Sequence, residues 1–244
     1  MSALGHYLEV EGIATTIVSL VRLHSEIIKP PRSLFVPFEL GRPLGPPNNP
    51  RLQSHVLESA LALLESDDGP SVLVDFDHIG VDGDFDPNWM PPINESLPIE
   101  LVGIDAVRLM LFAEVASLQA AYTLATAARG RTTVGVVKLS MDEIINHMVS
   151  FLKGPHEKSP RDDLSAAMVL RFGADDLKAY YYESVTLNGH PSSWQLGNWF
   201  WRHTVAGKIL IALRAAALVS DDKRFHTVCG SHVVPRIWVL ELNL

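Results

Sequence analysis

Apolar residues in the first eighty positions fall in short β-branched bursts separated by stretches of helical spacing. Residues 13–18 (Ile-Ala-Thr-Thr-Ile-Val), after Gly12, read as a buried strand. Residues 34–38 read as a second, after Pro30-Pro31-Arg32, and residues 71–76 as a third, after Asp68-Gly69-Pro70. Between these last two, Leu52, Val56, Leu57, Ala60, Leu61 and Leu64 share one stripe of a helix over 50–65. Asn49 is placed to cap that helix and Pro50 to occupy its first position. Strand, crossover helix, strand predicts a parallel α/β unit with right-handed connections.

From residue 99 onward the period is helical. Residues 101–129 form a long helix that Gly130 stops. Ser140-Met141-Asp142-Glu143 is a capping box that opens a helix ending near Leu152. Residues 175–187 give another helix, and Ser192-Ser193 caps one that runs through Trp201 towards Val219. Residues 233–244 are β-prone, suited to an edge strand or a packed tail. Between the halves, Asp77, Asp82, Asp84 and Asp86 alternate with Gly and Pro up to Pro98, which reads as a long loop. Asp82-Gly83-Asp84-Phe85-Asp86 lacks the glycine and the bidentate glutamate of an EF-hand, so a solvated loop is favoured over a calcium site. The expected fold is thus an α/β N-terminal half, with parallel strands and crossover helices, followed by a mostly α-helical C-terminal half. Its boundaries are an α/β domain over 1–80, a loop or linker over 81–98 and a helical domain over 99–244.

Composition narrows the function. A formal net charge of −8 argues against nucleic acid, whose phosphates require clustered Lys and Arg. The single cysteine, Cys229, excludes an internal disulfide, a cysteine zinc site and a two-thiol redox centre within one chain. The first residues lack a secretory pattern, and the longest apolar stretch, 109–128, is interrupted by Glu114 and Gln119. A cytoplasmic protein with no membrane partner is therefore expected.

The loop over 37–50 is the richest in chemistry. It follows a strand and precedes a helix, the place where open α/β sheets bind ligands. Gly41 and Gly45 permit close backbone approach, Arg42 offers a positive fork for an anion, and Asn49 stands at a helix N-terminus beside Glu39. An equal reading is a stiff loop that holds its shape with Glu39 and Arg42 paired. Residues 8–16, Pro30-Pro31-Arg32-Ser33-Leu34-Phe35, the Glu39-to-Gly45 loop, Asn49-Pro50 and Leu57-to-Leu61 together resemble the C-terminal part of the glycine/sarcosine/betaine reductase component B family, which also includes D-proline reductase subunits. The likeness spans roughly residues 5–76. It implies reductive C–N cleavage of a small amine by a cysteine or selenocysteine centre. That centre lies upstream of the matched segment, and Cys229 lies outside it. The resemblance therefore implies a subunit in an oligomer, whose partner chain carries the redox-active cysteine or selenocysteine. No cofactor is indicated.

The helical half has candidates of its own. Glu143 and His147 share one helix face and suit acid–base or metal chemistry, although surface i,i+4 pairing is the simpler account. Glu114, Asp176, Glu183 and His203 fall on separate helices that a bundle core brings together in di-metal proteins, but the Glu-x-x-His repeats of those proteins are missing, so no metal is assigned. Trp194, Trp199 and Trp201, with Asn198, Arg202 and His203, suit a pocket wall, an interface or the core. His203 is the candidate base there. Tyr180-Tyr181-Tyr182 spans several helix faces, so at least one ring is expected to be exposed or at an interface. Arg129 to Gly135 is a basic turn able to offer backbone donors to phosphate, with a simple helix stop preferred. Cys229 has Arg224, His226 and His232 near it in sequence, which would lower its pKa, against the simpler expectation of a buried thiol.

Three functions follow: a reductase-like subunit whose redox centre is elsewhere, a self-contained enzyme using histidine and carboxylates, and a non-catalytic partner-binding protein. The sequence leaves open whether the chain itself is catalytic.

Overall fold

The β-branched bursts pair as parallel strands in a computed structural model, which describes residues 2–38, 41–66, 68–69, 71–77, 86–93, 103–154, 158–185, 187, 189 and 191–244. The chain divides into two compact units, Met1–Gly83 and Asp84–Leu244.

The first unit runs α1 (Ser2–Val10), β1 (Ile17–Ser19), α2 (Arg22–Ile28), β2 (Arg32–Phe35), α3 (Pro50–Ala62), a 3-10 turn (Leu63–Glu65) and β3 (Val72–Asp75). The strands lie in the order β1-β2-β3, all parallel, with Val18 beside Leu34 and Leu34 beside Val74. Leu34, Val36, Val72 and Phe76 bury against Val56, Ala60 and Leu63.

β1 is shorter than its apolar burst for a physical reason. Glu9 at the end of α1 accepts the Thr15 backbone N–H at 2.6 Å and the Thr15 hydroxyl at 3.0 Å. Ile13 N–H donates to Leu8 at 2.9 Å. Residues 13–16 are thereby tied to α1 instead of the ladder. The α3 stripe is also only partly covered: Val56 and Ala60 are buried, while Leu57 and Leu61 remain 47% and 57% exposed.

The second unit holds α4 (Ile104–Arg129), α5 (Met141–Phe151), α6 (Ala166–Ser184), α7 (Ser193–His203), α8 (Val205–Leu218), α9 (Lys223–His232) and α10 (Arg236–Glu241). Local signals set many of the ends. Gly130 closes α4 at φ 66°, and complete capping boxes open α5 at Ser140 and α7 at Ser192. α6 packs against α4, α5 and α9, and α8 against α4, α5, α7 and α9, around one apolar core.

Three expectations change here. α6 starts at Ala166 instead of Asp175, because the Ser165 hydroxyl caps Met168 N–H. The helix from Ser193 does not continue to Val219; it breaks at Thr204, whose hydroxyl donates to Phe200 O at 2.6 Å and accepts from Gly207 N–H at 3.0 Å. Gly207 permits this corner, since a Cβ there would lie 2.1 Å from Phe200 O. The β-prone tail forms helix α10 after Pro235, where Trp238 stacks on Trp194 with ring centroids 4.9 Å apart. Of the expected loop or linker 81–98, the described residues 86–93 are an ordered loop held on the helical unit. Gln195 donates to Asp86 O at 2.8 Å and accepts from Asp86 N–H at 2.9 Å, and Trp199 Nε1 donates to Ile93 O at 2.8 Å.

Candidate functional site

The C-terminal ends of parallel strands share one edge of the sheet, and in the α/β unit that edge carries the 41–50 loop, the start of α3 and Asp77 just after β3. Gly45 N–H donates to Arg42 O at 2.9 Å, closing a tight turn that requires the positive φ of Gly45, 83°. The turn folds onto Phe38 and Leu52, which a Cβ on Gly45 would meet at 3.2 Å and 3.0 Å. Asn49 then caps α3, accepting from Leu52 N–H at 3.1 Å, and Gln53 Nε2 holds Pro46 O at 3.0 Å. Phe76 lies under the edge, with the Phe38 ring 6.1 Å and the His55 ring 5.1 Å away.

Above this base lies an open groove of about 780 Å³ lined by Asn49, Arg51, Leu52, Ser54, His55, Glu58 and Asp77. Arg51, Ser54, His55 and Glu58 follow one another at helical spacing along the polar side of α3. The groove therefore combines a guanidinium, two carboxylates, an imidazole and the amide cap of a helix. Such a set can hold a small molecule bearing both a cation and an anion.

Of the residues expected to bind substrate, Asn49 lines the groove. Gly41, Arg42 and Gly45 belong to the loop beside it, and Glu39, with its expected pairing to Arg42, lies outside the described residues. Arg51, His55, Glu58 and Asp77 are absent from the sequence-based set. The signal of Arg51, His55 and Glu58 was the polar complement of the apolar stripe on α3, which marks a solvated face and nothing more specific, and Asp77 read only as one of the loop aspartates.

Among the described residues the helical unit does not gather its histidine and carboxylate candidates into one cluster. Glu143 turns back into its capping box, accepting the Ser140 N–H at 2.8 Å and hydroxyl at 2.6 Å, and these bonds hold its carboxyl below the ordinary value. His147 is buried, with Nε2 3.0 Å from Ala166 O and its ring edge-on to Phe151. Trp199 and Trp201 are core residues, each 1% exposed. Arg202 donates to Glu241 O at 3.2 Å. Asn198 and His203 are half-buried on α7. Tyr180 and Tyr181 are buried and Tyr182 half-buried, so no ring of the triplet is exposed; α6 is contacted on three sides.

The carboxylates expected as a bundle-core cluster instead serve two backbone segments, the 132–137 turn and the start of α8. Asp176 is fully buried and accepts the N–H groups of Gly135, Val136 and Val137 at 3.0, 2.9 and 3.0 Å. Glu183 accepts the Thr133 N–H at 2.8 Å and the hydroxyls of Thr133 and Thr132 at 2.7 Å each. Burial acts to raise the Glu183 pKa, but these bonds and the Arg129 charge hold it below the ordinary value. Two backbone donors of the 129–135 phosphate candidate, the Thr133 and Gly135 N–H groups, are thus filled by the protein's own carboxylates, and those of Gly130 and Val134 bond to Thr126 O and the Thr132 hydroxyl. Glu114 takes the Val205 and Ala206 N–H groups at the start of α8, at 2.9 and 3.1 Å, and the Tyr181 hydroxyl at 2.6 Å. Burial nevertheless raises its carboxyl above the ordinary value. Among the described residues no group of three or more metal-ligating side chains converges.

Cys229 is buried beside α8, and burial, with the Asp222 charge, pushes its thiol up to about 12. The neighbouring histidines and arginine therefore do not activate it.

A scan against protein-family models returned no match, and searches of curated proteins and solved structures returned no significant one.

Proposed function

We propose that the chain is a docking subunit of a reductase-like assembly acting on a small amine, with the redox-active cysteine or selenocysteine on another polypeptide. The groove at the C-terminal edge of the sheet carries this reading. Glu58 and Asp77 suit an ammonium group, Arg51 and the α3 N-terminus suit a carboxylate, and the two features lie within one opening. That pairing matches a zwitterionic amine such as glycine, its N-methylated forms or D-proline. The groove also lies in the segment whose sequence resembles the reductase component. The state of Cys229 supports placing the redox step elsewhere: a fully buried thiol held near 12 is neither accessible nor ionised at neutral pH.

Calorimetric titration of the full chain with these amines tests the reading. Saturable binding that Arg51→Ala and Asp77→Asn each weaken by about ten-fold, the loss of one charged contact, is the expected result. No binding of any of them would remove the amine from the proposal. Co-purification with a cysteine- or selenocysteine-bearing partner tests the second half, and a chain that ignores such a partner contradicts it.

A further inference from the structure

A carboxylate with a partner of its own offers little to a ligand, and two aspartates at the end of β3 differ in this. Asp75 is taken: it accepts from Arg22 Nε at 2.7 Å and from Arg22 Nη2 at 3.2 Å. Asp77, two residues on, makes no side-chain hydrogen bond or ion pair among the described residues, and neither does Glu58. Both line the groove, Glu58 from α3 and Asp77 from the chain that follows β3. The ammonium end of a ligand there meets carboxylate oxygens contributed by two elements.

Cations with and without N–H groups call for different walls. A protonated amine donates its N–H groups to carboxylate oxygens. A quaternary ammonium has none to donate, and the faces of aromatic rings hold it instead. Among the described lining residues there is no Trp, Tyr or Phe. The His55 ring tilts over Phe76 with centroids 5.1 Å apart, and Phe76 beneath it is only 6% exposed. Leu52, half-buried, is the apolar lining residue. The groove is thus built of acceptors and charges, without the aromatic cage that a methylated cation needs.

We infer that the groove selects its amine by N–H groups: it accepts primary, secondary and tertiary ammonium groups and rejects a quaternary one. This rests on the zwitterion reading above and narrows it, removing the trimethylated form from the N-methylated glycines which that reading admits. In an open groove, water and salt screen the bare attraction between charges, so the hydrogen bonds carry the discrimination. A trimethylammonium group displaces water from Glu58 and Asp77 and returns no donor, leaving both carboxylates poorer than before it bound. An ammonium with a single N–H still returns one.

Calorimetric titration of the full chain with glycine and its N-methyl, N,N-dimethyl and N,N,N-trimethyl forms tests this, because all four carry the same carboxylate and the same positive charge at neutral pH. Affinity should change by no more than about three-fold per methyl through the first three and drop by about ten-fold or more at the fourth, the loss of the last charged hydrogen bond. N-isopropylglycine, bulky at nitrogen but with two N–H groups, should bind with the first three. Glu58→Gln and Asp77→Asn should each weaken the first three and leave the trimethyl form nearly unchanged, flattening the step. Trimethylglycine binding as tightly as dimethylglycine overturns the inference and leaves the zwitterion reading intact. N-isopropylglycine as weak as trimethylglycine also overturns it, because size and not donors then decides. Binding by none of the series overturns the zwitterion reading and this inference with it.

Discussion

The helical unit closes on its own polar groups, and the α/β unit leaves its polar groups open. Asp176, Glu183 and Glu114 are each buried and each committed to backbone N–H donors elsewhere in the chain. At the strand ends of the α/β unit, Arg51, His55, Glu58 and Asp77 instead line an open groove. Both regions contain the residue types from which binding sites are made. The difference lies in what occupies the donors: a turn filled by its own carboxylate is architecture, while an open set of opposed charges can accept a ligand.

The closed side breaks most severely at Asp176. Asp176→Ala removes the buried acceptor of three N–H groups, that of the buried Val137 among them, and should cost about 3 kcal/mol or more, read by chemical denaturation followed by tryptophan fluorescence. Asp176→Asn keeps an acceptor and should cost less. Gly207→Ala should cost about 3 kcal/mol or more, because its Cβ meets backbone that cannot move aside.

Glu114 gives the closed side a pH signature. Its folded pKa lies above the reference value of 4.5, so the folded protein holds the proton more tightly than the unfolded chain. The stability contributed by its neutral form is complete below that reference and is lost as pH rises through the folded pKa. Glu114→Gln cannot titrate, so the stability of the wild type relative to this variant should fall across that window. Glu183, whose pKa is lowered, behaves oppositely: its contribution holds above 4.5 and disappears as pH falls through the folded value. Unfolding in urea at stepped pH distinguishes the two.

The open side is expected to be less sensitive. Asn49→Ala removes a helix cap and should cost about 1 kcal/mol. Arg51→Ala, on an exposed face, should leave stability within about 0.5 kcal/mol while weakening amine binding.

Features set by neighbours in sequence were legible. The Asn49–Pro50 start of α3, the Gly130 stop, the box at Ser140 and the cap at Ser192 each need only residues within one turn. The parallel strands were legible as bursts, though the pull of Glu9 on Thr15 that shortens β1 was not. Val233, Val234, Ile237 and Val239 gave the tail its β character, but Trp238 stacking on Trp194 favours a helix, and that contact joins residues far apart in sequence. The same distance hid the clamps: Asp176 and Glu183 reach segments some forty to fifty residues earlier, so they looked like available ligands. In the groove Asn49 was visible as a cap and loop residue. Arg51, His55, Glu58 and Asp77 required the placement of β3 beside β2 to become one site.

The most direct test of this division is amide chemical-shift mapping of the full chain during titration with N-methylated glycine. The account predicts saturable shifts confined to residues 49–58 and the neighbourhood of Asp77, with the amides of Gly135, Val136 and Val137 unmoved. Shifts centred on the 132–137 turn or on the tryptophans of α7, with the groove silent, would contradict it.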